Sequence, residues 1–213
     1  MLSKARKRLQ DARLYVITPD AAPQSVLDLA SAAVSGGADI LQLRHKSLAR
    51  GELLTLARGV REITSRAGAI FIVNDHLDIA LISEADGVHL GPDDLSVAAA
   101  RRIAGNRLLI GASASSVQAA LALVAAGADY LGSGPAFATP IKSEKSVIGP
   151  KGVAAIAAAV GPTVPVFAIG GIDESNVAQL TVEGLRRACV IRAVSEASDP
   201  AEATRRLRAM LIV

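Results

Sequence analysis

Gln42, Arg44 and Lys46 stand at alternate positions of one short run, Gln42-Leu43-Arg44-His45-Lys46, and alternate positions of a strand share a face. Arg offers a two-pronged grip on phosphate oxygens and Lys a mobile point charge, so this face has the chemistry of an anion site. Four further places break an apolar, strand-like run into polar chemistry. They are Asn74-Asp75, Gly91-Pro92-Asp93-Asp94, the stretch from Gly132 to Lys142, and Gly170-Gly171. Magnesium takes one or two carboxylates and completes its octahedron with water and substrate phosphate, which Asp75 together with Asp93 or Asp94 suits. A glycine pair after a strand exposes backbone N–H groups to an anion. Together these groups read as an enzyme site for phosphate esters with a divalent metal.

Each piece has a plainer alternative. The Gln-Arg-Lys face serves equally as a salt-bridged plug in a barrel interior, with Lys46 reaching solvent. Asp93-Asp94-Leu95-Ser96 before a helix is also an ordinary cap. Lys142 and Lys145 read as solvated loop charges. His45, His76 and His89 are too dispersed for a zinc set, and His45, opposite Arg44 on its strand, is expected to be structural. The chain shows no Ser-His-Asp spacing and no paired Glu residues suited to glycoside chemistry.

These groups need a scaffold that brings strand ends together. Runs rich in Val, Ile and Leu recur at 14–17, 39–43, 70–73, 87–90, 108–110, 130–132, 164–169 and 188–191. Helical periodicity lies between them, as in Val26, Leu29, Ala30, Ala33 and Val34, or Leu53, Leu56, Ala57 and Val60. Further helices are expected at 77–82, 96–104, 116–126, 151–160, 175–180 and 200–211. Gly37-Ala38-Asp39 and Gly127-Ala128-Asp129 each close a helix and open a strand, and Ala85-Asp86 introduces another. Strand–polar loop–helix, repeated eight times in 213 residues, predicts a single (β/α)8 TIM barrel over 1–213, with 1–12 as an amino-terminal helical extension. A doubly wound sheet is the runner-up, but the first loop, Thr18-Pro19-Asp20-Ala21-Ala22, lacks the glycine a nucleotide turn needs.

Composition narrows the function classes. Hydrophobic residues make up 51% of the chain and aromatics 2%, which excludes disorder and argues against nucleic-acid binding by base stacking. The net charge of +3 is spread out, and the one dense basic run, Lys4 to Arg8, is read as a solvated helix. Cys189, the only cysteine, sits in an apolar run and is expected to be a buried small hydrophobe; no intramolecular disulfide is possible, as suits a reducing cytoplasm. The amino terminus lacks the apolar core of a signal peptide. Residues 153–172 carry no charge, but Gly161-Pro162-Thr163-Val164-Pro165 divides them into a helix and a strand, so no membrane span is expected.

Along nearly its whole length the chain resembles the thiamine-phosphate synthase family. The matching words run in order: Leu14-Tyr15-Val16-Ile17-Thr18, Gln42-x-Arg44-x-Lys46, Asn74-Asp75, and Asp86-Gly87-Val88-His89-Leu90-Gly91 with Asp94. Then come Ile110-Gly111-x-Ser113, Gly127-Ala128-Asp129-Tyr130, Gly132-x-Gly134-Pro135-x-Phe137-x-Thr139 with Lys142, and Ala168-Ile169-Gly170-Gly171-Ile172. The family joins hydroxymethylpyrimidine diphosphate to a thiazole phosphate and releases pyrophosphate, by a dissociative substitution through a pyrimidine-methyl cation. The resemblance implies that Gln42, Arg44, Lys46, Asn74, Ser113 and Lys142 contact the pyrimidine diphosphate, with Arg44, Lys46, Ser113 and Lys142 carrying the chemistry. It implies Asp75 and Asp94 as Mg2+ ligands, and Thr139, Gly171, Ile191 and Arg192 at the thiazole phosphate.

Three positions depart from the family pattern. Ile141 stands where a second Thr is usual, Arg192 where the eighth strand commonly ends in Ser, and Glu183-Gly184-Leu185-Arg186-Arg187 replaces a Gly-Ala-(Asp)-Gly word. All three fall on the acceptor side, and Ile141 is carried among the substrate-binding positions. The related thiazole tautomerase is an alternative. Both aspartates and the Gln-Arg-Lys triplet argue against it, as does Ser115, where a His would be expected. A non-catalytic pyrimidine-diphosphate-binding regulator is the other alternative. Oligomeric state has no signal in the sequence.

Overall fold

Short apolar runs bounded by Gly, Pro and Asp become parallel strands that close on themselves. The computed structural model describes residues 2–138 and 146–212. Its strands are β1 (Leu14–Ile17), β2 (Ile40–Leu43), β3 (Ile70–Asn74), β4 (Gly87–Leu90), β5 (Leu109–Ala114), β6 (Tyr130–Ser133), β7 (Val166–Ile169) and β8 (Ala188–Val190). They pair in sequence order, and β8 closes on β1 through Leu14 opposite Ala188. The helices are α1 (Leu2–Asp11), α2 (Pro23–Ser35), α3 (Arg50–Ala67), α4 (Leu77–Ile82), α5 (Val97–Ala104), α6 (Val117–Ala125), α7 (Gly149–Val160), α8 (Val177–Val182), α9 (Arg192–Ser195) and α10 (Pro200–Met210). This is the expected (β/α)8 barrel. Strand ends shift by a residue or two, and β5 runs on to Ala114. The uncharged run at 153–172 divides at the predicted breaker, α7 ending at Val160 and β7 starting at Val166. Among the described residues no helix is long and apolar enough to cross a membrane.

Alternation along each strand sorts side chains into two cores. Leu14, Val16, Leu41, Leu43, Phe71 and Val73 face the helices, while Tyr15, Ile17, Ile40, Ile70, Ile72, Leu109, Tyr130, Phe167 and Cys189 fill the barrel. Gly111 makes the inner layer possible. A Cβ there would lie 2.0 Å from Tyr130 Cζ, so the phenol ring lies across space that any other residue would fill.

At the bottom of the barrel the basic run forms the expected helix with Lys4, Arg6 and Lys7 exposed, while its other face docks against the strands. Ala5 and Leu9 of α1 are buried against the inner core. Arg6 pairs with Asp129 at 3.0 Å and Arg8 with Asp86 at 3.3 Å. The physical reason lies in the repeated junction aspartates. Asp39 accepts the Leu14 N–H at 3.0 Å, Asp86 the Phe71 N–H at 2.9 Å and Asp129 the Ile110 N–H at 2.9 Å. Each thus clips an even-numbered strand to its odd-numbered predecessor, and arginines neutralise all three: Arg208 at Asp39, Arg61 and Arg8 at Asp86, Arg101 and Arg6 at Asp129. At β8 the junction carries Arg187 instead, which donates to the Gln10 carbonyl of α1 at 2.7 Å.

Candidate active site

The carboxyl ends of the strands open into one pocket of about 1210 Å³. Gln42, Arg44, Lys46, Asn74, Asp75, Asp94, Ser113, Gly171, Ile191 and Arg192 all line it. Three further expected residues, Thr139, Ile141 and Lys142, lie outside the described residues.

The β2–β4 edge gathers the charges. Arg44 pairs with Asp20 of the first loop at 3.2 Å, and the same carboxylate accepts the Lys46 backbone N–H at 2.5 Å. Asp20 thus orients the cationic loop, a role without any sequence signal. Thr18 helps, its hydroxyl receiving the Arg44 N–H at 3.1 Å. The Lys46 ammonium pairs with Asp75. His45 turns away and is buried, with Nε2 2.9 Å from the Ala21 carbonyl. The alternation that predicted this face holds, although the strand itself ends at Leu43.

Asp94 resolves its two readings. The cap of α5 is Ser96, whose hydroxyl accepts the Ala99 N–H at 3.2 Å. Asp94 instead accepts the Gly91 N–H at 2.8 Å, which folds its carboxylate back over the site. Burial, followed by the hydrogen-bonding and charge of the neighbouring Asp75 carboxyl, raises the Asp94 pKa from its ordinary value. Two acidic groups are therefore held side by side, with Lys46 paired to Asp75 and its charge acting on Asp94. Among the described residues no third His, Cys, Asp or Glu joins them.

The floor holds residues that motif reading passed over. Gln42, nearly fully buried, donates to Tyr15 Oη at 2.5 Å, which lies 3.0 Å from Tyr130 Oη. Tyr130 Oη is 3.3 Å from His89 Nδ1, and His89 Nε2 is 3.0 Å from Ser113 Oγ. Alternation was the available signal, because Tyr15 is inward with Ile17 and His89 sits two places after Gly87. Set aside as one of three dispersed histidines, His89 has its meaning in cross-barrel neighbours.

Opposite, after β7, Gly170 and Gly171 adopt φ +103° and +63°. A Cβ on Gly171 would come within 2.4 Å of the Ala138 carbonyl oxygen, so the loops after β6 and β7 approach only because the residue is Gly. Asn176 donates to the Gly171 carbonyl at 2.7 Å and accepts the Asp173 N–H at 3.0 Å, holding the turn. Arg192 does not end a strand as expected; it opens the short helix α9, exposed at the pocket and without an ion pair among the described residues.

A closed eight-stranded barrel with charged groups on its carboxyl-end loops defines a (β/α)8-barrel enzyme. A family model described as thiamine monophosphate synthase matches residues 14–194, and the chain belongs to that family. It is 46% identical over 210 residues to the thiamine-phosphate synthase of Thermobifida fusca, covering 97% of this chain and 95% of that one. A Methanoculleus marisnigri thiamine-phosphate synthase is 48% identical, at 92% and 93% coverage. The chain spans only 57% of the length of a Gloeobacter violaceus relative of the same name, at 42% identity. A solved thiamine phosphate pyrophosphorylase from Pyrococcus furiosus superposes with a TM-score of 0.86 at 37% identity, covering 98% of both chains.

Proposed function

We propose that this chain condenses hydroxymethylpyrimidine diphosphate with thiazole phosphate to give thiamine phosphate and pyrophosphate. One observation carries the reading: the pocket has two unlike poles. Carboxylates with Lys46 and Arg44 gather at the ends of β2, β3 and β4, while a Gly-Gly turn and Arg192 follow β7 and β8. In an eight-stranded barrel the third and seventh strands are diametrically opposed, so one pole suits a diphosphate and the other a second phosphate ester. The loops after strands 7 and 8 are a recurrent phosphate position in this architecture.

Asp75 and Asp94 fit a magnesium ion. They present adjacent carboxyls whose mutual repulsion a hard cation relieves, and one or two carboxylates with water and substrate phosphate suit it. Bound there, the metal supplies neutralisation of the diphosphate charge. Lys46 and Arg44 hold the diphosphate oxygens, with Asn74, Ser113 and Lys142 as further contacts on this reading. The bond between the pyrimidine methylene carbon and the diphosphate oxygen breaks, its electron pair leaving with oxygen. The thiazole nitrogen lone pair then forms the new C–N bond to the pyrimidine-methyl cation. Gly171, Ile191, Arg192, Thr139 and Ile141 position the thiazole phosphate, so much of the barrier is removed by alignment. Free phosphate esters and a lone cysteine suit a cytoplasmic setting.

The test is to mix the purified chain with both substrates and magnesium and follow pyrophosphate and coupled product. Pyrimidine-diphosphate binding without coupling, or isomerised thiazole alone, would overturn the proposal.

A further inference from the structure

The hydrogen bonds crossing the pocket floor form an unbroken line from β2 to β5, and counting protons gives it a direction. Burial raises the pKa of both Tyr15 and Tyr130 far above the usual phenol value, so each hydroxyl keeps one proton and donates once. Tyr15 accepts from Gln42, and its bond with Tyr130 raises the Tyr15 pKa while lowering that of Tyr130, as when Tyr15 donates and Tyr130 accepts. The Tyr130 proton goes on to His89 Nδ1. With Nδ1 accepting, the neutral ring carries its proton on Nε2 and donates it to Ser113 Oγ. Ser113 therefore keeps its hydroxyl proton for the pocket that it lines.

We infer that Tyr15, Tyr130 and His89 are positioning residues that hold His89 as the Nε2–H tautomer and so make Ser113 an obligate hydrogen-bond donor to the bound anion. That the acceptor is a diphosphate oxygen rests on the function proposed above; the polarity of the line does not. An unrestrained serine hydroxyl can rotate to accept from a ligand N–H or donate to an oxygen. Here the choice is removed by groups fixed in the barrel interior. A donor held in place before the reaction costs no reorganisation as charge builds on the departing oxygen. The opposite polarity would send the Ser113 proton to His89 and turn an oxygen lone pair toward the anion, which repels it. Gly111 belongs to the device, since only its missing side chain lets the Tyr130 ring reach between Tyr15 and His89.

A spectrum of the full chain labelled with 15N-histidine reads the tautomer with no substrate present, His89 being assigned by the signals lost in His89→Gln. The expected result is a pyridine-type Nδ1 and a pyrrole-type Nε2, with the preference lost in Tyr130→Phe. A wild-type His89 protonated on Nδ1, or an even mixture, overturns the inference. In turnover, Tyr130→Phe is expected to lower kcat about tenfold while the acceptor KM holds. Introduced into Ser113→Ala, the same change should cost less than about twofold, because it acts through a hydroxyl already gone. Fully additive losses would place Tyr130 outside the line. His89→Gln, able to accept and donate through one amide, should recover most of what His89→Leu loses; equal losses refute the role. If the wild type couples no substrates, the functional reading falls while the spectrum still decides the polarity.

Discussion

Replacing Asp75 with Asn separates the charge of the site from its architecture. Asp75 has φ +62°, in the left-handed region where Asn is among the best-tolerated residues, so the turn after β3 survives. What disappears is one negative charge, together with the Lys46 ion pair and the pressure on Asp94. The Lys46 side chain is 52% exposed, so its lost pair costs at most about 1 kcal/mol. Relief at Asp94 acts in the opposite direction, which keeps stability within about 1 kcal/mol of the parent. Turnover should respond far more strongly. With no third metal-binding side chain grouped there among the described residues, the substitution leaves a divalent cation one carboxylate instead of two. A loss of at least about 100-fold in kcat/KM at limiting magnesium, equivalent to about 2.7 kcal/mol, is expected. Pyrophosphate release across a magnesium titration, beside urea unfolding of the same preparations, measures both quantities. Activity within about threefold of the parent at every magnesium concentration would refute the metal assignment. A stability loss of several kcal/mol would instead make Asp75 a structural ion-pair partner.

Three other outcomes follow from the same geometry. Arg192→Ser should raise KM for the thiazole phosphate about tenfold while the pyrimidine-diphosphate KM moves less than about twofold; equal shifts would remove Arg192 from the acceptor side. Gly111→Ala puts a Cβ 2.0 Å from Tyr130 Cζ and should cost about 3 kcal/mol in urea unfolding, with a loss under about 1 kcal/mol counting against the packing argument. In metal-free protein Asp94 holds its proton to higher pH than in the unfolded chain. The folded state then binds the extra proton, so stability is greatest below the unfolded pKa and falls as pH rises through the folded one. Urea midpoints from about pH 4 to 7 should show this decline in the parent and a flatter profile in Asp75→Asn.

Sequence pattern reached far into this molecule, and for identifiable reasons. Period-two alternation placed Gln42, Arg44 and Lys46 on one side of their run and His45 on the other, where the structure has them. The Gly-Ala-Asp junctions were recognisable as equivalent, but their purpose was not: Asp39, Asp86 and Asp129 clip neighbouring strands, and only closure of the barrel brings Arg6 and Arg8 to two of them. The acidic loop illustrates the limit best. Asp94 and Ser96 are both competent caps by type, and the choice of Ser96 is set by backbone geometry at the start of α5. Arg192 was placed at a strand end and proves to open α9, because β8 stops at Val190.

By itself the sequence determined the barrel, the order of its polar loops and which faces carry charge, since all three follow from local period and residue type. Tertiary structure alone decided that Tyr15, Tyr130 and His89 meet beneath the pocket and that Asp75 presses on Asp94. Those contacts join residues far apart in the chain across a closed sheet, and closure is a property of all eight strands together.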